Sequence, residues 1–179
     1  MKKLMFLMMT GLVTVLFSSC EEDCENLRGE CPEEQLAEDV QLIEQYLEDN
    51  NLTAERLTSY DLFYIIEEQG TGEQPENGQN ISVNYVGKFL DGKVFDTSIE
   101  SVARDADIYS ENRTYEPFSF TLGQRQVILG WDVGLKLINE GGKATLILPS
   151  YMAYGPRGSG SIPANTVLLF EVELVSINE

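Results

Sequence analysis

Between residues 60 and 177 the apolar residues recur with a period of two in several short runs, a spacing that suits strands and no helix. The last run is the clearest: Leu168, Phe170, Val172 and Leu174 share one side, and Glu171 and Glu173 share the other. Ile81, Val83 and Tyr85 alternate in the same way, as do Phe118, Phe120 and Leu122, and then Ala144, Leu146 and Leu148. Leu62 to Ile66 reads as a further strand. Gly70-Thr71-Gly72 and Pro75-Glu76-Asn77-Gly78 form polar turns, and Asp91-Gly92, set between Phe89-Leu90 and Val94-Phe95, is a hairpin signal that tolerates positive φ. Short strands at close spacing with one late helix predict an α+β fold, an antiparallel sheet with a helix on one face.

The late helix starts within the stretch Gln126 to Leu135, which holds the only tryptophan. Asp132 is the expected N-cap and Gly141-Gly142 the expected stop. Trp131, Leu135 and Ile138 fall at i, i+4 and i+7 and so share a face. Trp131 has two readings at this point, core filler or part of a site.

Upstream of residue 60 the character changes. From Pro32 to Asn51, Leu36, Val40, Ile43 and Leu47 recur at helical spacing among Glu and Gln, which predicts one amphipathic helix with a narrow apolar stripe. Such a stripe either packs on its own domain or pairs with a second copy as a homodimer through residues 36–50. Leu52 to Tyr60 is a connector with no assignable structure. At the start, Lys2-Lys3 and the apolar run from Leu4 to Phe17 form a leader too short to span a bilayer comfortably. Ser18-Ser19-Cys20 resembles the lipobox of bacterial lipoproteins, with Phe17 where leucine is more usual, and implies cleavage before a lipidated Cys20. An ordinary secretory signal is the alternative. Glu21-Glu22-Asp23 reads as a solvated tether or a sorting signal. Cys24 and Cys31, with six residues between them, leave open a small disulfide loop or two free thiols. The expected organisation is a leader over 1–19, an acidic tether over 20–35, a helix and linker over 36–59, and a compact domain over 60–179. The expected location is the bacterial cell envelope, held to a membrane by the lipid.

Charge and composition exclude several functions. The formal net charge is −18, and without the leader 10 basic residues face 30 acidic ones, a net of −20. There is no basic stripe, so nucleic-acid binding is not expected. The chain has no histidine, and its cysteines are scattered. This argues against a zinc site or a His-based triad, and no metal or cofactor is expected.

Several motifs stand in a fixed order: Val83-Asn84-Tyr85-Val86-Gly87, Asp91-Gly92-Lys93-Val94-Phe95-Asp96-Thr97-Ser98, Pro117-Phe118-Ser119-Phe120, Leu122-Gly123, Val127-Ile128-Leu129-Gly130-Trp131-Asp132, Ala153-Tyr154-Gly155, Ile162-Pro163 and Leu169-Phe170-Glu171-Val172-Glu173-Leu174. Together they resemble the FKBP-type peptidyl-prolyl cis-trans isomerases over about residues 60–177. The resemblance implies a twisted antiparallel sheet wrapped around a short helix, with a proline pocket between the helix start and the sheet. It implies catalytic roles for Tyr85, Phe95, Asp96, Trp131, Tyr154 and Phe170, and substrate binding by Phe118, Val127, Ile128 and Ile162. Trp131 would be the floor, and Tyr85, Phe95 and Phe170 the walls. Asp96 would orient Tyr85 or a neighbour, and the Ile128 amide and Tyr154 hydroxyl would donate to substrate carbonyls. For Phe118, Phe170 and Val127, simple core packing remains the alternative. Proline-containing polypeptides are the implied partners, and macrolide inhibitors are candidate ligands. The implied function is X-Pro isomerisation in exported or envelope proteins, with a membrane-anchored proline-peptide binding or chaperone module as the alternative.

The chain departs from the family pattern at Asn84, Gln126, Met152 and Ala164, and in a slightly shorter loop from Pro156 to Ser161. The largest departure is the charged stretch Thr97 to Glu116, expected as either a solvated loop or a flap near the pocket. Because of it, the family's rim arginine cannot be assigned to Arg104 or Arg113 by spacing.

Overall fold

A computed structural model describes residues 32–178. The expected leader, the expected lipidation position Cys20, the acidic run after it and the Cys24 and Cys31 pair lie outside the described residues. Seven strands form one sheet: β1 (Glu55–Leu57), β2 (Leu62–Glu68), β3 (Asn80–Lys88), β4 (Val94–Thr97), β5 (Phe118–Thr121), β6 (Lys143–Leu148) and β7 (Leu168–Asn178). Their order is β1-β2-β6-β7-β3-β4, with β5 also on β3. Every pairing is antiparallel. The connector before Tyr60 thus supplies an edge strand. β5 pairs with the first half of β3 and β4 with the second, so the chain between them, residues 98–117, leaves and rejoins the same sheet edge.

The period of two translates directly into layers. Leu168, Phe170, Val172 and Leu174 join Ile81, Val83, Leu146 and Leu148 in the main core on the inner face. The 89–93 hairpin closes through Gly92 N–H to Phe89 O and Phe89 N–H to Lys93 O, both 3.0 Å. Only Gly92 has positive φ there, so the loop has three residues rather than the two that Asp-Gly alone would give.

The helix on the inner face is α3 (Leu129–Gly134), which continues as a 3-10 turn over Leu135–Leu137. Trp131, Leu135 and Ile138 are all buried, as their spacing predicts. Gly130 and Gly134 let the helix lie directly on β6: a Cβ at either position would fall 2.4 Å from Leu148 Cδ1 or 2.6 Å from Leu146 Cδ1. Both expected helix boundaries are corrected. Ile128, extended at φ −60° and ψ 149°, is the N-cap residue, and Asp132 sits inside the first turn. Its carboxylate instead accepts from the amides of Gly123 (2.8 Å) and Arg125 (3.1 Å), fixing the incoming loop. The helix ends before Gly141-Gly142 because Ile138 returns to extended backbone, and those glycines make the turn into β6.

The amphipathic stretch forms α1 (Pro32–Asp49). Its stripe packs on the outer face of the same sheet, where Ile43, with Val40 and Leu47, meets Phe63, Ile147 and Leu169. Ile43 has no exposed area. The stripe is therefore unavailable for pairing with a second copy, and of the two readings the structure carries the packing one. Asp39, fully buried, accepts from the Ser150 amide at 2.7 Å and from Gln35 Nε2 at 2.9 Å, tying α1 to the segment after β6. The longest departure also acquires structure: α2 (Glu100–Asp105) inserts Ala103 as a fully buried residue.

Candidate active site

Where α3 begins, the sheet and the loops around residues 118–128 and 153–154 leave a cavity of about 780 Å³. Trp131 forms its floor and is only 5% exposed. The Tyr85 ring meets the indole edge-to-face at 5.0 Å, and Phe170 does the same at 5.4 Å. Phe95 stands against Phe170 at 5.6 Å and 88°. These perpendicular contacts fix each ring against the next, so the cavity shape is held by packing. Gly87 is required behind this wall, because a Cβ there would lie 2.6 Å from the Phe95 ring.

Nine of the ten pocket residues expected from the sequence line this cavity: Tyr85, Phe95, Asp96, Phe118, Val127, Ile128, Trp131, Tyr154 and Phe170. Ile162 does not. It is buried in the main core, paired to Ser159 across a tight turn. Phe118 is 44% exposed, which places it at the mouth rather than in the core. Phe170 serves both purposes, as its ring is buried and still lines the cavity.

The polar groups around Asp96 are already paired. Tyr85 Oη donates to Asp96 Oδ2 at 2.7 Å, and Arg113 donates to the other Asp96 oxygen and to Tyr85 Oη, the latter at 2.9 Å. The Thr97 amide donates to Asp96 Oδ1 at 2.9 Å. Asp96 is therefore bonded to Tyr85, and the arginine that reaches this pair is Arg113. Spacing could not find it, because the chain travels through α2 before turning back to the rim. Burial raises the Tyr85 phenol above its ordinary value of 10.0; the Asp96 hydrogen bond and charge add to this, and Arg113 opposes it. Tyr154 is raised by burial first and by the Asp96 charge second.

Two donors are left for a ligand. The Tyr154 hydroxyl and the Ile128 amide have no hydrogen-bond partner among the described residues. The Trp131 Nε1 is buried without a partner as well. Arg125 and Leu129 also line the cavity and were not expected from the sequence; Arg125 is held on left-handed backbone, φ 56°, by the bond from its amide to Asp132. Among the described residues no cluster of His, Cys, Asp or Glu has the arrangement to hold a metal ion. The site is thus an apolar cavity with a neutralised polar rim and a few free donors.

The family described as FKBP-type peptidyl-prolyl cis-trans isomerase matches residues 71–175. The chain is 41% identical over 108 residues to FK506-binding protein 4 of Dictyostelium discoideum, covering 60% of this chain and 26% of that protein. It is 40% identical over 122 residues to the FKBP-type peptidyl-prolyl cis-trans isomerase FkpA of Escherichia coli (strain K12), covering 68% of this chain and 40% of that one. The chain thus spans well under half the length of these curated relatives. Among solved structures, the crystal structure of FkpA from Escherichia coli superposes with a TM-score of 0.62 at 35% identity, over 82% of this chain and 62% of that one. The crystal structure of AtFKBP13 superposes with a TM-score of 0.59 at 33% identity, over 70% of this chain and 99% of that one.

Proposed function

Because the chain belongs to the FKBP-type peptidyl-prolyl cis-trans isomerase family, we propose that it catalyses cis-trans isomerisation of X-Pro bonds in polypeptides. The observation that carries this reading is the cavity floored by Trp131, apolar in its walls and with its carboxylate already neutralised. Rotation about an X-Pro bond must give up amide resonance, against a barrier of roughly 18 to 20 kcal/mol. Uncatalysed exchange takes tens to hundreds of seconds. No covalent bond is made or broken, so the reaction needs neither a nucleophile nor a general base. A twisted amide is less polar than a planar one, and a dry cavity disfavours it less than water does. Rigid walls add the second requirement, a shape that fits the twisted form better than either planar isomer. The pyrrolidine ring would rest on the Trp131 indole, with the Ile128 amide and the Tyr154 hydroxyl donating to substrate carbonyls.

The substrates are exported or envelope proteins in this reading, and the chain is held at a membrane through lipid on Cys20. Support comes from the sequence alone: Lys2-Lys3, the apolar run to Phe17 and Ser18-Ser19 before Cys20. Acyl chains contribute about 0.8 kcal/mol per buried methylene, enough for a multiply acylated chain to stay anchored. Incorporation of labelled palmitate, absent in Cys20→Ser, tests the anchor.

For the activity, a protease-coupled assay on a proline tetrapeptide with the full chain is decisive. Phe95→Ala, which opens a wall, is expected to lower kcat/KM by roughly tenfold or more, about 1.4 kcal/mol of transition-state stabilisation. Trp131→Leu, which keeps an apolar floor without the flat indole, should do the same. Peptide binding without turnover in the unmodified protein would leave only a proline-peptide binding module.

A further inference from the structure

The stretch between β4 and β5 carries a second ordered array, outside the cavity, that ends on the cavity wall. The Arg104 guanidinium lies 3.5 Å from the centre of the Tyr109 ring and is gripped by Glu100, with Nε and Nη2 at 2.9 and 2.6 Å from one carboxylate oxygen. Tyr109 stacks on Tyr115 at 5.6 Å with the rings 16° from parallel. The Tyr115 hydroxyl accepts from the Ser110 amide at 3.0 Å, which closes the loop between them. The Arg113 guanidinium then lies 5.3 Å from the centre of the Tyr115 ring. Its far side bonds Asp96 and the Tyr85 hydroxyl.

We propose that the Arg104, Tyr109 and Tyr115 stack is a positioning device: it sets Arg113 against Asp96 and Tyr85, so that turnover depends on an insertion that does not line the cavity. This rests on the isomerase reading for its kinetic consequence and not for its geometry. The need for such a device follows from chain length. Arg113 is 40% exposed, on the return limb of a 20-residue excursion between sheet strands, and a long unsupported loop would let it swing into solvent. Cation-to-ring contacts and stacked tyrosines restrict it from one side while the carboxylate restricts it from the other. At its base the stack is anchored through α2 by Ala103, which is fully buried. Without Arg113 in place, the Asp96 carboxylate would face an apolar wall with its charge uncompensated, and would draw water to the place where the twisted amide needs none.

The test uses the full chain and reads both kcat/KM on a proline tetrapeptide and the Arg113 Hε signal in 15N NMR. Tyr115→Leu is expected to lower kcat/KM by roughly tenfold, the scale of a lost charge-assisted hydrogen bond, and to remove the ring-current shift of Arg113. Tyr115→Phe keeps the ring and is expected to stay within about twofold of the unmodified protein, as a retained ring contact requires. In an Arg113→Gln background, Tyr115→Leu should cost nothing more, because residues acting through one another are not additive. Arg104→Gln, at an exposed position that leaves the core intact, should weaken turnover in the same direction. Full turnover in Tyr115→Leu, or losses that simply add in the double variant, would overturn the proposal. An unmodified protein that shows the Arg113 shift but no turnover would instead overturn the isomerase reading and leave the positioning geometry standing; absence of the shift would overturn the positioning itself.

Discussion

Tyr85 concentrates the chemistry of the site in one side chain: its ring is a wall against Trp131, and its hydroxyl both donates to Asp96 and accepts from Arg113. A phenol so placed keeps its proton. Burial holds the Tyr85 phenol above 10.0, the Asp96 interaction adds to this, and Tyr154 shifts the same way. The sign for stability follows. Above pH 10 the unfolded chain releases phenol protons that the folded chain retains, so this contribution is full below pH 10 and is lost as pH climbs towards the folded value. The urea midpoint is therefore expected to fall above pH 10, with a shallower fall in Tyr85→Phe; equal slopes would show that the phenol does not report burial. Turnover should behave differently. The chain has no histidine, the side chain whose ordinary pKa lies near neutrality, so kcat/KM is expected to be level between about pH 6 and 9. At this scale the aromatic and aliphatic wall was readable from motif order. Arg113, Arg125 and the exclusion of Ile162 were not, because backbone path and loop conformation set them.

At the scale of elements, alternation identified the inner-face strands because their alternate apolar side chains enter one core, Phe118 at the cavity mouth excepted. Helix ends were less legible. Asp132 has the chemistry of a cap, but its carboxylate is claimed by the amides of Gly123 and Arg125 across a loop, and local sequence does not encode that competition. The same is true of Asp39, an ordinary polar residue by helical position and a buried acceptor in the fold. Asp39→Ala leaves the Ser150 amide buried without a partner and is expected to lower the unfolding free energy by about 1 to 3 kcal/mol in urea titrations. Asp39→Asn, which keeps an acceptor oxygen, should recover most of the loss. If Asp39→Ala unfolds at the same urea concentration as the unmodified chain, the bond is incidental to the docking of α1.

For the whole molecule, the two faces of one sheet are closed by different parts of the chain, α3 within and α1 without. The outer closure uses the stripe that could otherwise have joined two copies, and the net charge of −18 adds mutual repulsion. Light scattering of residues 32–178 is thus expected to give a monomer. Removing residues before 60 uncovers Phe63, Ile147 and Leu169, and should lower the melting temperature or drive association; a truncated chain that is monomeric with an unchanged melt would refute the closure. The amino-acid order by itself determined every strand but β1, the family and most of the pocket wall, because periodicity and motif spacing act over neighbouring residues. Only the tertiary structure decided which arginine reaches Asp96, where α1 docks and that Ile162 belongs to the core, because each depends on contacts between segments far apart along the chain.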